Sequence, residues 1–257
     1  MAIANDSVSK TFAVVGGLCL VCSILVAGAA VGLRPLQEAA KDRDRQANIL
    51  HVAGLPLTDI RRVYHDRIEA RLVDLQTGEY VQGDANTYDM RKAAKAPALS
   101  QTIPAEADVA GLKRRAKQMP VYLARGADGA IESIILPMYG QGLWSTMYGF
   151  ISLAPDGRTI KGLTYYEHGE TPGLGGEIEN PRWQAMWVGK QLFDEQGQFA
   201  FRIIKGHADS GDRHHVDGLS GATLTSNGVQ RSVEFWMGPQ GFGPYLTRLQ
   251  QGGAQHG

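Results

Sequence analysis

Asp217-Gly218-Leu219-Ser220-Gly221-Ala222-Thr223-Leu224-Thr225-Ser226 is the stretch on which the reading of this chain turns. Small residues and hydroxyls crowd into a turn that runs directly into an apolar-periodic segment. Val229, Val233 and Trp236 recur at i, i+4 and i+7, which is one face of a helix. A hydroxyl-bearing residue just before such a face signals a helix start. Helix starts present unpaired backbone N–H groups and a partial positive charge, and so hold phosphates well. An ordinary N-capped helix after a glycine turn has the same local features. Taken as physics alone, the loop brings a phosphate against one of four hydroxyls: Ser220, Thr223, Thr225 or Ser226.

Working outward, the 257 residues suffice for one domain with a real core plus an appendage. Lys and Arg (26) balance Asp and Glu (26), and no basic tract or face stands out, which argues against nucleic acid as a partner. The 32 glycines cluster in loops and form no repeat. Residues 11–33 carry no charged side chain and are almost wholly apolar. At about 1.5 Å per residue such a helix crosses a hydrocarbon core roughly 30 Å thick. Ala27-Gly28-Ala29 would serve as a signal-peptidase site, but the apolar run exceeds the roughly 7–15 residues of a signal, which favours a retained anchor. Lys10 precedes the span, and Arg34, Lys41, Arg43 and Arg45 follow it among Glu38, Asp42 and Asp44. The charge rule alone would keep the C-terminal part inside, although long domains cross regardless of that bias. Cys19 and Cys22 both lie in the apolar span, where they read as small residues of a membrane helix. A cluster ligand shared with a partner protein is the alternative.

Residues 35–70 read as a helical stalk that joins a folded domain near Gly54-Leu55-Pro56. Two short strands are expected between Ala70 and Val81, around Thr77-Gly78. The polar, alanine-rich segment 84–118 reads as irregular, with one short helix at Val109 to Lys117. Strand signals then become dense. Val121 to Ala124 and Ile131 to Leu136 flank a hairpin turn at 126–129; Phe150 to Leu153 and Ile160 to Tyr166 flank another at Pro155-Asp156-Gly157. Asn180-Pro181 starts a helix that places Trp183, Met186 and Trp187 in the core, and Phe199 to Ile204 reads as one more strand. His214-His215 lies in a solvated loop without the further ligands that a metal site needs. Mixed hairpins and helices give an α+β fold, with one N-terminal transmembrane helix followed by a single mixed, mainly antiparallel sheet-and-helix domain.

Two more glycine-rich loops precede the threonine stretch: Gly140-Gln141-Gly142-Leu143-Trp144-Ser145, and His168-Gly169-Glu170-Thr171-Pro172-Gly173-Leu174-Gly175-Gly176. The first lacks the third glycine and following helix of a dinucleotide fingerprint, and its ordinary reading is a tight turn with a packed tryptophan. The second lets backbone approach a planar ligand closely. In their order and residues, the three loops resemble the FMN-binding domain family: Gly-x-Gly-x-Trp, then Glu-Thr-Pro-Gly-Leu-Gly, then Asp-Gly-x-Ser-Gly-Ala-Thr-x-Thr. The single span, the segment Asn48-Ile49-Leu50-His51-Val52-Ala53-Gly54 and the ending Gly241-Phe242-Gly243-Pro244-Tyr245-Leu246 are similar to the C-subunit family of sodium-translocating NADH:quinone reductases. The related G-subunit family of Rnf electron-transport complexes shares the loops but fits the two ends less well.

The resemblance implies FMN bound covalently, through a phosphoester to Thr225, by a separate flavin transferase using FAD. The diester keeps one negative charge, favourable at a helix N-terminus. Ser220, Gly221, Ala222, Thr223, Leu224 and Ser226 would surround the phosphate, with Thr223 and Ser226 donating hydroxyl bonds and Lys205 adding charge. Glu170, Thr171, Leu174 and Gly175 would line the ring, with Trp144 stacking or packing nearby. Asp217 is a candidate for service in the attachment reaction. The expected function is an electron relay, not catalytic alone, in a membrane complex that oxidises NADH, reduces ubiquinone and exports sodium. The implied layout is a cytoplasmic tail at 1–10, a span at 11–33, a stalk at 34–56 and a periplasmic flavin domain at 57–257 of a bacterial inner-membrane protein. The expected partners are the other proteins of the complex, the transferase during maturation and membrane lipid. An Rnf-type electron carrier and a membrane-anchored flavin sensor are the alternatives.

Overall fold

The computed structural model describes residues 8–209 and 211–252. Most of the expected tail at 1–10 therefore lies outside the described residues. The elements in chain order are α1 (Val8–Val52), α2 (Ile60–Arg67), β1 (Ile68–Asp74), β2 (Tyr80–Val81), α3 (Met90–Lys95), β3 (Ser100–Thr102), β4 (Arg114–Ala116), β5 (Gln118–Arg125), β6 (Ile131–Gln141), β7 (Thr146–Leu153), β8 (Ile160–Glu167), a 3₁₀ segment (Gly175–Glu179), α4 (Pro181–Ala185), β9 (Arg202–Ile204), β10 (His215–Asp217), α5 (Thr223–Met237) and α6 (Gly243–Gln250). The chain divides into two compact units, Met1–Arg45 and Gln46–Gly257.

The first unit contains most of α1. It is apolar and exposed, with Phe12, Leu18, Leu20, Ile24, Leu25 and Val26 all open to the surroundings. Its mean hydropathy reaches 2.5 over an 18-residue window, so the helix is long and apolar enough to cross a membrane. Cys19 and Cys22 are free and exposed within it.

The second unit is built on a six-stranded antiparallel sheet in the order β2-β1-β5-β6-β7-β8. Its central strands β5, β6 and β7 are buried on both faces. On β5 and β6, Met119, Val121, Leu123, Ile134, Leu136 and Met138 join one core, while Tyr122, Ala124 and Ile135 join the other. This is the period-two alternation of a strand. Ile49, Leu50 and Val52, at the end of α1, pack in the second core with Tyr64 of α2. The larger core takes Val229, Val233 and Trp236, each fully buried, so the periodic face of α5 lies on the sheet as its spacing predicts. Two small sheets flank this one: β3 with β4, antiparallel, and β9 with β10, parallel.

The structure corrects several expectations. The stalk helix does not run to residue 70. It ends at Val52, Gly54 takes a φ of 71°, and a separate α2 follows. The short helix expected at Val109 to Lys117 is absent; that segment holds β4, entered through Lys113 at φ 62°. The short helix of the region is instead α3, where the Asp89 carboxylate accepts from the backbone N–H groups of Arg91 and Lys92. The expected strand at Phe199 to Ile204 shrinks to β9. The helix after Asn180 lasts five residues; Trp183 and Trp187 are buried, but Met186 is 42% exposed. His215 opens β10, paired to Arg202, with its ring on Asp212, so only part of that segment is loop.

Candidate functional site

The three glycine loops meet in the second unit. The first is the hairpin turn between β6 and β7. Both strands run further than their apolar cores suggest, and the Gly142 N–H closes the turn on the Ser145 carbonyl at 2.8 Å. The second loop leaves β8 and ends in the 3₁₀ segment, where the Thr171 carbonyl accepts from Leu174 (3.1 Å) and Gly176 (2.9 Å). Ser145 ties the two together, its Oγ accepting the Gly169 N–H at 2.6 Å. The third loop is the turn from β10 into α5. Gly218 N–H bonds the Ile204 carbonyl at 2.7 Å, which sets the exposed Lys205 beside the start of the turn.

At the centre, Thr225 Oγ1 donates to Glu170 Oε2 at 2.5 Å, with the two residues 1% and 5% exposed. The other carboxylate oxygen, Oε1, accepts the Trp144 backbone N–H at 2.9 Å. One carboxylate thus joins all three loops. Burial alone would raise the Glu170 pKa. The Thr225 hydroxyl and the backbone N–H groups of Trp144, Leu143 and Ser145 outweigh it, and the carboxyl is held below its ordinary value. Only glycines fit against this pair. A Cβ on Gly142 would lie 2.5 Å from Glu170 Oε1, and one on Gly175 would lie 2.5 Å from Thr225 Oγ1 and 2.9 Å from Glu170 Oε2.

Around the pair stand exposed apolar side chains: Leu143 and Trp144 from the first loop, Leu174 from the second and Leu224 from the third. Leu174 reaches the third loop, its Cδ2 lying 3.1 Å from where a Cβ on Gly221 would stand. Trp144 is 68% exposed and so is not the packed tryptophan of an ordinary turn. The α5 N-cap is Ala222, which has no side-chain cap bond, and the first turn has no acidic residue. This departs from the hydroxyl N-cap that the sequence predicts. The helix start is left without side-chain acceptors, and such an end favours an anion.

The four motif hydroxyls have different surroundings. Ser220 and Thr223 are exposed, Thr225 is buried on Glu170, and Ser226 Oγ accepts the Leu219 N–H at 3.0 Å. Ser226 therefore closes the turn as an acceptor, which leaves its hydroxyl proton to donate. Asp217 is also structural. Its carboxylate accepts from Ala208 N–H (2.8 Å) and pairs with His207 Nδ1 (2.6 Å), and these contacts hold its pKa low. Trp183, whose sequence readings are core and flavin stacker, donates Nε1–H to the Asp217 carbonyl at 2.8 Å and so braces the same turn. The signal for it is the indole N–H, which needs a partner when buried. Helix α5 packs closely on β6, and at two points it meets a backbone carbonyl of the strand. Gly228 abuts the Gln141 carbonyl, 2.6 Å from its would-be Cβ, and Trp236 Nε1 donates to the Tyr139 carbonyl at 2.6 Å. Among the described residues no group of His, Cys, Asp and Glu is arranged to hold a metal ion.

Comparison with known proteins places the chain in a family. A family model described as the FMN-binding domain matches residues 142–238, from the hairpin glycine to the end of α5. The C subunit of the Na(+)-translocating NADH-quinone reductase of Yersinia pestis is 52% identical over 258 residues, covering 98% of this chain and 97% of the relative. The C subunit from Neisseria meningitidis serogroup A is 56% identical over 253 residues, covering 98% of each. The crystal structure of Shewanella oneidensis NqrC superposes with a TM-score of 0.79 at 40% identity, covering 82% of this chain and 99% of that one. With near-complete coverage at this identity, the chain belongs to the C-subunit family of Na(+)-translocating NADH-quinone reductases, and it is a membrane-anchored flavoprotein.

Proposed function

We propose that this chain relays electrons through FMN esterified to Thr225, within an assembly of several subunits that oxidises NADH, reduces ubiquinone and exports sodium ions. The observation that carries the reading is the buried Thr225–Glu170 pair at an α5 start without a side-chain cap, ringed by exposed apolar side chains. When bound, FMN supplies the redox chemistry, and the protein sets its position and surroundings.

The residues fit the group. A phosphate on Thr225 meets the first N–H groups of α5 and the positive end of its dipole, and Lys205 adds a charge nearby. Ser220, Gly221, Ala222, Thr223 and Leu224 form the rim of the phosphate site, with the exposed Thr223 hydroxyl as a donor. Leu174, Leu224, Thr171 and Gly175 line the ring, and the exposed Trp144 indole offers it a stacking face. Thr225 is 1% exposed, so its surroundings have to open for the group to be attached. A flavin transferase performs that attachment, and membrane lipid surrounds residues 11–33. The expected division at 34–56 and 57–257 moves: Ile49, Leu50 and Val52 pack in the domain core, so a stalk that ends near Arg45 leads to a flavin domain from Gln46 onward, on the periplasmic side of a bacterial inner membrane.

The test is direct. Full-length protein matured with a flavin transferase should give a fluorescent band on a denaturing gel and a peptide spanning 220–231 heavier by one FMN less water. Thr225→Val should lose both signals. Retained covalent fluorescence in Thr225→Val sinks the assignment. A periplasmic domain requires that a C-terminal alkaline phosphatase fusion be active; an inactive fusion reverses the topology.

A further inference from the structure

We propose that Glu170 is the base for flavin attachment to its own chain, taking the Thr225 proton as Thr225 Oγ1 forms the phosphoester. This rests on the covalent attachment proposed above. A threonine hydroxyl is a weak nucleophile, activated by a base within hydrogen-bond reach that a third group orients. Each part is in place. Thr225 Oγ1 already donates to Glu170 Oε2 at 2.5 Å. The Trp144 N–H on Oε1 fixes the plane of the carboxylate and leaves Oε2 for the threonine. Ser226 Oγ accepts the Leu219 N–H and makes no hydrogen bond with Glu170, and Ser220 and Thr223 face solvent. Thr225 is thus the motif hydroxyl whose proton is held by a carboxylate.

The step balances. Thr225 Oγ1 bonds to the flavin-side phosphorus of a flavin–adenine dinucleotide, the co-reactant delivered by the transferase. The P–O bond to the adenylate breaks, and AMP leaves with the electron pair. The hydroxyl proton ends on Glu170 Oε2, and nothing is oxidised or reduced. Glu170 then stands neutral beside the new diester anion, able to donate a hydrogen bond to it. An ionised carboxylate in that position would repel the phosphate. Loop stapling alone explains the Trp144 contact; it does not call for the second oxygen to rest on the one hydroxyl that is esterified.

The experiment follows attachment by intact mass on the full-length detergent-solubilised protein, with purified transferase and FAD. E170Q keeps an oxygen acceptor but no base, and should gain flavin about 100-fold or more slowly than wild type. E170A should be equally slow and should recover as formate or acetate is added, because the small carboxylate enters the space left by the side chain. Thermal unfolding before flavin addition identifies variants that fold; should E170Q not fold, E170A with and without formate decides. Wild-type rates in E170Q, or a folded E170A that carboxylates do not accelerate, overturn the role of Glu170. Wild-type protein that gains no flavin at Thr225 overturns the attachment itself, a different result from equal gain by wild type and E170Q.

Discussion

Gly228→Ala gives a direct test of how the site is held together, because two opposing effects meet there. At a solvent-facing helix position, replacing Gly by Ala stabilises by about 0.8–1.0 kcal/mol. Gly228 lies one turn after Thr225, and its added Cβ would stand 2.6 Å from the Gln141 carbonyl oxygen and 3.2 Å from Gly142 Cα. Both are backbone atoms, so neither can rotate away. Ordinary contact begins at 3.4 Å, so α5 has to withdraw by 3.4 − 2.6, about 0.8 Å. Carried to Thr225, that shift stretches its 2.5 Å bond to Glu170 to about 3.3 Å, beyond the O–H···O range of about 2.5–3.0 Å. Overpacking costs about 1–3 kcal/mol, and a lost hydrogen bond to a charged group about 1.5–3 kcal/mol more. After the propensity gain, the net loss is about 1.5–5 kcal/mol, so Tm should fall by about 3 °C or more. Thermal unfolding of full-length protein in detergent, before flavin addition, measures it. Asn227→Ala, exposed on the same helix, is the control and should gain a few tenths of a kcal/mol. If Gly228→Ala matched that control in stability and gained flavin at the wild-type rate, the close approach of α5 to the hairpin would not be what assembles the site.

Ser226→Ala should cost about 1–3 kcal/mol in denaturant unfolding, because the Leu219 N–H loses its buried acceptor. Trp183→Phe keeps the ring in the core but deletes the bond to the Asp217 carbonyl. It should cost about 1 kcal/mol and raise amide exchange in the 217–222 turn. The Glu170 carboxyl has a folded pKa below its unfolded value, so its contribution is present above the ordinary carboxylate range and is lost as pH falls through the folded pKa. The Tm difference between wild type and Glu170→Gln should therefore be largest near neutral pH and should shrink below about pH 4; a gap that widens in acid contradicts the assignment.

Local patterns carry much of this structure. The periodic face of α5, the paired strands on either side of Gly126 and Pro155, and the long apolar helix are each written in consecutive residues. The failures share a cause as well. Six-residue α3 is too short for periodicity to speak, although Asp89 before Met90 is a capping signal. The run from Val109 to Lys117 suits a helix by composition, and only pairing with Ser100–Thr102 makes it a strand. At the site, family motifs mark Thr225 and Glu170 as neighbours of one ligand but cannot pair them. Their hydrogen bond spans 55 residues and depends on how the sheet brings two loops to the same helix end. Ser226 and Asp217 look like phosphate and catalytic groups in a linear reading. Each also satisfies a backbone N–H that the turn leaves open, which only the folded loop shows.

The two contacts of α5 with β6 have a mechanical consequence. A group attached to Thr225, as proposed, would be mounted on a post rather than on a swinging arm. One contact lies three residues after the threonine and the other eleven, and both end on carbonyls of a strand central to a six-stranded sheet. Tilt and rotation of the post are thereby blocked together. A carrier held in this way exchanges electrons with whatever comes to it. Its reach is set by the face that the domain presents, not by the length of a tether. Lengthening the loops around Thr225 would change how the group is installed far more than how far it travels.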